Sequence, residues 1–415
     1  MTTILRGNII HTPSFGALET VPGGCLVLED GVLTGIFERL PEWYAACPVE
    51  DFGEGLILPA FADLHLHAPQ YPMLGMGMDL PLLEWLNTYT FKTEERFADT
   101  EYARQVYRRL AAELIANGTT RVAMFSSRHT DATLILMEEL ERAGVTGYVG
   151  KVNMDRNSGV AQETTEASLR ETLRWLEGCR FAHVKPILTP RFTPSCTDEL
   201  LAALGRLAAE RDLPVQSHLS ENTGEVAWVR ALHPDCGRYW ETYAKYGLWR
   251  SGTLMAHCVH SDERERSAMA RDGVWAVHCA ASNVNICSGT APVRRLLEEG
   301  VSVALGSDVA GGDQLAMSQV VVTSIRASKV KAMETGVPFL TVPEAFYLGT
   351  AAGSRYFGGG EGFAPGHPLH AVVVDESRFP PPARELTLAE RFERAVYLMD
   401  RSSIAAVYSE GRRVK

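Results

Sequence analysis

The chain carries no Cys-x-x-Cys pair: its eight cysteines, at 25, 47, 179, 196, 236, 258, 279 and 287, are scattered singly. That pattern excludes a disulfide framework and a structural zinc knuckle, and it suits reduced thiols in a cytoplasmic protein. No Lys/Arg run is present, and 40 basic against 51 acidic residues leave a net charge of −11. A surface that tracks nucleic-acid phosphates is therefore not expected. No stretch approaches the roughly 20 consecutive apolar residues of a membrane span, and no basic-then-apolar leader opens the chain. Internal repeats and low-complexity tracts are also missing.

What remains is a chain of 415 residues, 46% hydrophobic and 22% charged, which is ordinary globular composition. The length allows one large catalytic domain and a smaller one. Eight strand-like apolar runs stand at 56–64, 119–125, 146–152, 183–188, 214–219, 253–258, 274–279 and 301–306. Helical periodicity fills the intervals at 100–117, 132–143, 165–176, 197–211, 262–271 and 292–299, with Gly118 and Gly144 as stops and Ser195, Thr197 and Ser261 as candidate N-caps. Eight alternations point to a closed α/β barrel, a (β/α)8 TIM barrel, over 58–361; an open doubly wound sheet is the alternative. The ends read as short β-pieces at 3–8, 24–29, 32–37, 369–374 and 404–408. Neither end could bury a core alone, so 1–57 and 362–415 are expected to pair as one small β-sandwich domain. Three prolines at 380–382 mark a connector.

The first barrel strand ends in His65-Leu-His67, and side chains two apart on a strand share a face. His-x-His alone is weak evidence. Here it has partners that also end strand-like runs: His218, His257 and Asp308. On a barrel the C-terminal strand ends converge on one face, so five residues distant in sequence can meet around a single ion. Any one of these histidines could be a satisfied core residue; all five positions together describe a hydrolytic metal centre. Imidazole nitrogens with one carboxylate suit Zn²⁺ or Fe²⁺, and such an ion lowers the pKa of bound water from ~15.7 towards ~7. Glu221, three residues after His218, stands where a carboxylate can carry protons without ligating the ion; a dipole-stabilising helix Glu is the plainer reading.

The blocks His65-Leu-His67-Ala-Pro-Gln70-Tyr71, Leu80-Pro-Leu-Leu-Glu-Trp85, Thr189-Pro-Arg191-Phe192, Gln216-Ser-His218-Leu-Ser-Glu221-Asn, Ala256-His257 and Gly306-Ser-Asp308 resemble the guanine deaminases of the amidohydrolase superfamily. The likeness extends over nearly the whole chain. His-x-His…His…His…Asp marks only the superfamily, whereas His-Ala-Pro-Gln-Tyr and Pro-Arg-Phe narrow it to this family. The resemblance implies a barrel with a β-sandwich flank and one zinc per chain, with iron as the alternative metal. It also implies a homodimer, and attack of activated hydroxide on C2 of guanine to give xanthine and ammonia.

It further implies roles. Catalysis would fall to Glu221, Asp308 and His257. Gln70 and Arg191 would bond the purine edge and its 6-oxo group, and Phe192 and Trp85 would pack on the ring, with His218, Glu221 and Asp308 also against substrate. A planar polar heterocycle needs such aromatic walls and directional donors, although Phe192 and Trp85 also read as ordinary packing. Two departures stand out. His278-Cys279-Ala280-Ala281-Ser282-Asn283 lacks the proline many relatives carry, and Lys185 sits too early in its strand to bridge a second metal. The other zinc deaminase fold needs Pro-Cys-x-x-Cys, which is absent. Two further readings remain: a deaminase or dechlorinase of another heterocycle (cytosine, an adenosine derivative, a triazine), and a non-catalytic scaffold. Relatives of the first kind lack the Gln70, Arg191 and Phe192 combination; scaffolds lose metal ligands, and this chain keeps all five.

Overall fold

The computed structural model describes residues 1–415. Eight parallel strands form the barrel: Phe61–His67, Thr119–Phe125, Thr146–Gly150, Val184–Pro186, Gln216–Leu219, Leu254–His257, Trp275–His278 and Val303–Leu305. The first four pair in chain order, and so do the last four. Two seams join these halves. On one side Leu188 bridges Val215 in parallel. On the other, Asp308 N–H donates to His65 O at 2.8 Å and His67 N–H donates to Val309 O at 3.0 Å. That second seam binds the first histidine pair to the aspartate through the backbone. The second strand is buried on both faces, which is why Val-Ala-Met-Phe at 122–125 is continuously apolar.

The first expected run divides at Ala60, its start belonging to the terminal sheet, and of the others only 119–125 fills its apolar run; the rest are shorter. The third breaks at Lys151, whose wholly buried ammonium pairs with Glu163 at 3.2 Å. Val152–Asn153 then pairs with Thr189–Pro190 instead. The fourth stops at Pro186 because the ladder changes neighbours: Leu188 N–H donates to Pro214 O at 2.9 Å. Caps also need correction. Asp262, not Ser261, caps Glu263–Asp272, accepting from Glu265 N–H at 2.8 Å. Thr197 caps Asp198–Arg211, and Ser195 closes a short 3₁₀ turn.

The terminal segments form one seven-stranded sheet. Its strands are Thr2–His11, Glu19–Glu29, Val32–Phe37, Val49–Pro59, Ala371–Val374, Ile404–Ser409 and Arg412–Arg413. The sheet curls until Val32 bridges Pro368, so both halves face a shared core that includes Leu5, Leu26, Ile57, Val373 and Tyr408. Val49–Pro59 leads through Ala60 straight into the first barrel strand. Leu388–Leu398 departs from this unit and buries Phe392, Ala395 and Val396 in the barrel's core.

Candidate metal centre and substrate cleft

Four imidazoles and one carboxylate converge above the C-terminal strand ends. His67 Nε2 and His218 Nε2 are 3.2 Å apart. Asp308 Oδ1 lies 3.3 Å from His65 Nε2 and 3.5 Å from His67 Nε2, and Asp308 Oδ2 lies 3.7 Å from His257 Nε2. Donors bound at about 2.0–2.2 Å to one ion sit roughly 3.0–3.6 Å from each other, so these spacings are the edges of a single coordination polyhedron. All five residues are buried, and His65 Nε2 and His257 Nε2 have no hydrogen-bond partner in the chain. Buried ring nitrogens left without partners are costly unless an ion takes them. The donor set therefore fits one divalent metal.

The ring orientations are set from behind. His218 Nδ1–H donates to Arg191 O at 2.6 Å, and His257 Nδ1–H donates to Asn283 Oδ1 at 2.8 Å, which leaves both Nε2 lone pairs facing the cluster. Burial and neighbouring imidazoles hold His67 and His218 well below the usual histidine range, so both are neutral donors. Burial acts to raise Asp308, yet His65, His257 and His67 hold it far down as the carboxylate. His257 and Asp308 both adopt left-handed backbone, φ 74° and 48°. Such conformations cost roughly 1–3 kcal/mol each and persist where surrounding structure enforces them. Gly306 makes the seam possible: a Cβ there would lie 2.7 Å from His65 Cβ.

Beside the cluster opens a cleft lined by His67, Gln70, Trp85, Arg191, Phe192, His218, Glu221, His257 and Asp308, with Leu82, Leu86 and Ile286 as apolar walls. Every residue singled out in the sequence reaches it except His65, which lies beneath. Glu221 Oε2 is 3.5 Å from His257 Nε2, and Ser288 Oγ–H donates to Glu221 Oε1 at 3.4 Å. Burial pushes the Glu221 carboxyl well up, and the charges of Glu225 and Asp308 push it further. The Phe192 ring stands edge-on to His218 at 6.4 Å. Trp85 donates Nε1–H to Met76 O at 2.9 Å. Lys185 is exposed and donates to Phe181 O, away from the cluster.

Glu94 was not legible as a site residue, yet it organises the cleft's polar wall. Its carboxylate accepts from Arg191 Nη1 at 2.6 Å and from Gln70 Nε2 at 2.9 Å. Gln70 Oε1 in turn accepts from Ala310 N–H at 3.1 Å, so the amide is fixed at both ends. Glu94 and the cleft residues Leu82, Trp85 and Leu86 belong to one helical segment, Leu82–Glu95, widened by a π-type turn over Leu86–Thr90. Such turns recur at functional sites. In sequence Glu94 is one of two adjacent glutamates, Glu94-Glu95, and nothing marks which is buried. Asn283 stood in the His-Cys-Ala-Ala-Ser-Asn block but carried no assigned role; only the fold brings it to His257.

The sequence model of the amidohydrolase family matches residues 56–414. Guanine deaminase of Dictyostelium discoideum is 35% identical over 99% of this chain and 98% of its own length. The crystal structure of guanine deaminase from C. acetobutylicum, solved with guanine bound in the active site, superposes with TM-score 0.96 at 41% identity, covering 100% of both chains. The chain belongs to the guanine deaminase family. A triazine hydrolase from Arthobacter aurescens superposes with TM-score 0.85 but only 16% identity, a likeness of fold alone. Gln70, Arg191 and Phe192 all line this one cleft.

Proposed function

We propose that the chain hydrolyses guanine to xanthine and ammonia, with His65, His67, His218, His257 and Asp308 holding one divalent ion. The observation that carries this reading is that Gln70 and Arg191, both held by Glu94, line the same cleft as the His/Asp cluster, Trp85 and Phe192. Its likeness to a structure with guanine in place supports the same substrate. Zinc is the ion this donor set suits best, with iron(II) second. When bound, such an ion supplies Lewis acidity and makes hydroxide available near neutral pH.

The chain's own residues do the rest. Arg191 donates to the 6-oxo group, and Gln70, held by Ala310 and Glu94, presents one remaining N–H and one remaining oxygen lone pair to the purine edge. Phe192 and Trp85 bound the ring and exclude water. Asp308 accepts the proton leaving the attacking water. Glu221, whose carboxyl burial pushes well up, protonates the ring nitrogen next to C2; Asp308 passes its proton to the departing amine, and Glu221 takes back the proton of the new C2 hydroxyl as the carbonyl forms. The balance is one water consumed and one ammonia released. We also take residues 1–57 with 362–415, and 58–361, as the two structural units. We further propose a homodimer and a cytoplasmic location, readings that the family likeness and the unpaired cysteines support.

Ammonia release from guanine, adenine, cytosine and guanosine tests the reading. Guanine alone should turn over efficiently, with xanthine as product; preferential turnover of any other member would overturn it.

A further inference from the structure

Four Lys or Arg residues are buried in this protein: Lys151, Arg191, Arg266 and Arg121. Three of them face a carboxylate, Lys151 with Glu163 at 3.2 Å, Arg191 with Glu94 at 2.6 Å and Arg266 with Glu299 at 2.9 Å. Arg121 is the exception. It is 92% buried, yet its guanidinium makes no hydrogen bond or ion pair within the chain. A mostly buried guanidinium is normally paired, whereas this one has no partner in the chain and keeps its nitrogens within reach of solvent. The nearest compensating charge is Glu410, and that carboxylate is already engaged by His370 Nε2 at 3.0 Å.

Arg121 lies early in the second barrel strand, on the floor opposite the metal cluster, and lines a small pocket between the barrel and the terminal sheet. No Asp or Glu lines this cavity; His367, His370 and Ser354 do. One wall is the glycine-rich turn Gly358-Gly359-Gly360-Glu361-Gly362. A Cβ on Gly359 would sit 3.5 Å from Arg121 Nη2 and 2.6 Å from Ser354 Oγ, so the turn is pressed close to the guanidinium. The N–H groups of Gly360 and Gly362, both on the cavity lining, have no acceptor within the chain. A cation's planar fork, free backbone amides and the absence of any carboxylate form the donor set that recognises an oxyanion.

We propose that this floor cavity binds a small oxyanion, inorganic phosphate or a carboxylate, which bridges Arg121 to the glycine-rich turn and so joins the terminal sheet to the barrel. The site is remote from the substrate cleft, so its occupancy bears on stability and leaves turnover chemistry untouched.

Thermal unfolding of the metal-loaded protein, titrated with phosphate, acetate or chloride at equal ionic strength, tests this. Phosphate or acetate should raise Tm saturably by about 2 °C or more beyond chloride. Arg121→Met should abolish that rise while guanine turnover stays within twofold. Should the methionine variant not fold, Arg121→Lys keeps the charge and loses the fork, and the half-saturating anion concentration should rise about tenfold. A wild-type response no greater than chloride's, or an equal anion response in the variants, overturns the proposal.

Discussion

Glu94 and Arg191 form a buried ion pair at 2.6 Å, and the same carboxylate holds Gln70 at 2.9 Å, so the two residues proposed to read the purine are fixed relative to each other. Gln70 is further tied to Ala310, two residues beyond Asp308. The polar wall of the cleft and the loop that carries Asp308 therefore share one rigid frame.

Glu94→Gln should lower stability by about 3–5 kcal/mol, because it strands a buried guanidinium. Guanine kcat/KM should fall at least about tenfold. Adding Arg191→Met to that variant should restore much of the stability and none of the activity. Urea unfolding and steady-state kinetics on the three variants check this; recovery of both together would mean the pair serves packing alone.

Arg191→Ala should leave metal content unchanged and cut guanine turnover severely. Adenine and 2,6-diaminopurine present an amino donor where guanine has its 6-oxo acceptor, and sites built to pair a polar group reject such analogues by up to ~10⁴–10⁵-fold. The variant should therefore narrow the gap between guanine and 2,6-diaminopurine. An unchanged ratio of kcat/KM would assign position 6 to another residue.

Asn283→Ala removes the acceptor that orients His257. Loss of such a partner typically weakens metal binding 10–100-fold, here expected without loss of fold. Chelator competition followed by metal analysis reads the change directly, and an unaltered affinity would remove Asn283 from the account.

Stability should also respond to pH through Glu265. Burial pushes this carboxyl up to about 7, against an ordinary value of 4.5, despite the hydrogen bond from Ser261. The folded protein thus holds a proton that the unfolded chain releases earlier. The stabilisation is complete below about pH 4.5 and is lost as pH rises through about 7, roughly 3 kcal/mol across the window. Unfolding free energies at pH 5 and pH 8 should differ more in wild type than in Glu265→Gln.

Much of this was legible beforehand, for physical reasons. Strand ends that finish in His65, His67, His218, His257 and Asp308 announce themselves because metal donors are scarce residue types and barrel topology gathers strand ends. The third and fourth strands were overestimated because apolar runs record burial, whereas the ladder ends at Lys151 and at the switch of neighbours beyond Pro186. The longest helix, Met317–Thr335, lay outside the helical intervals read from the sequence. Glu94, Asn283 and Arg121 stayed hidden because their importance lies in what faces them, and partners separated by up to 97 positions, as Glu94 and Arg191 are, leave no local pattern.

The most direct test is Glu221→Gln, assayed for guanine turnover alongside elemental analysis. One divalent metal per chain should remain, while kcat falls by ~10²–10⁴-fold or more, since an amide cannot carry the protons. Turnover within a few-fold of wild type, at unchanged metal content, would contradict the assignment of Glu221 as the proton carrier.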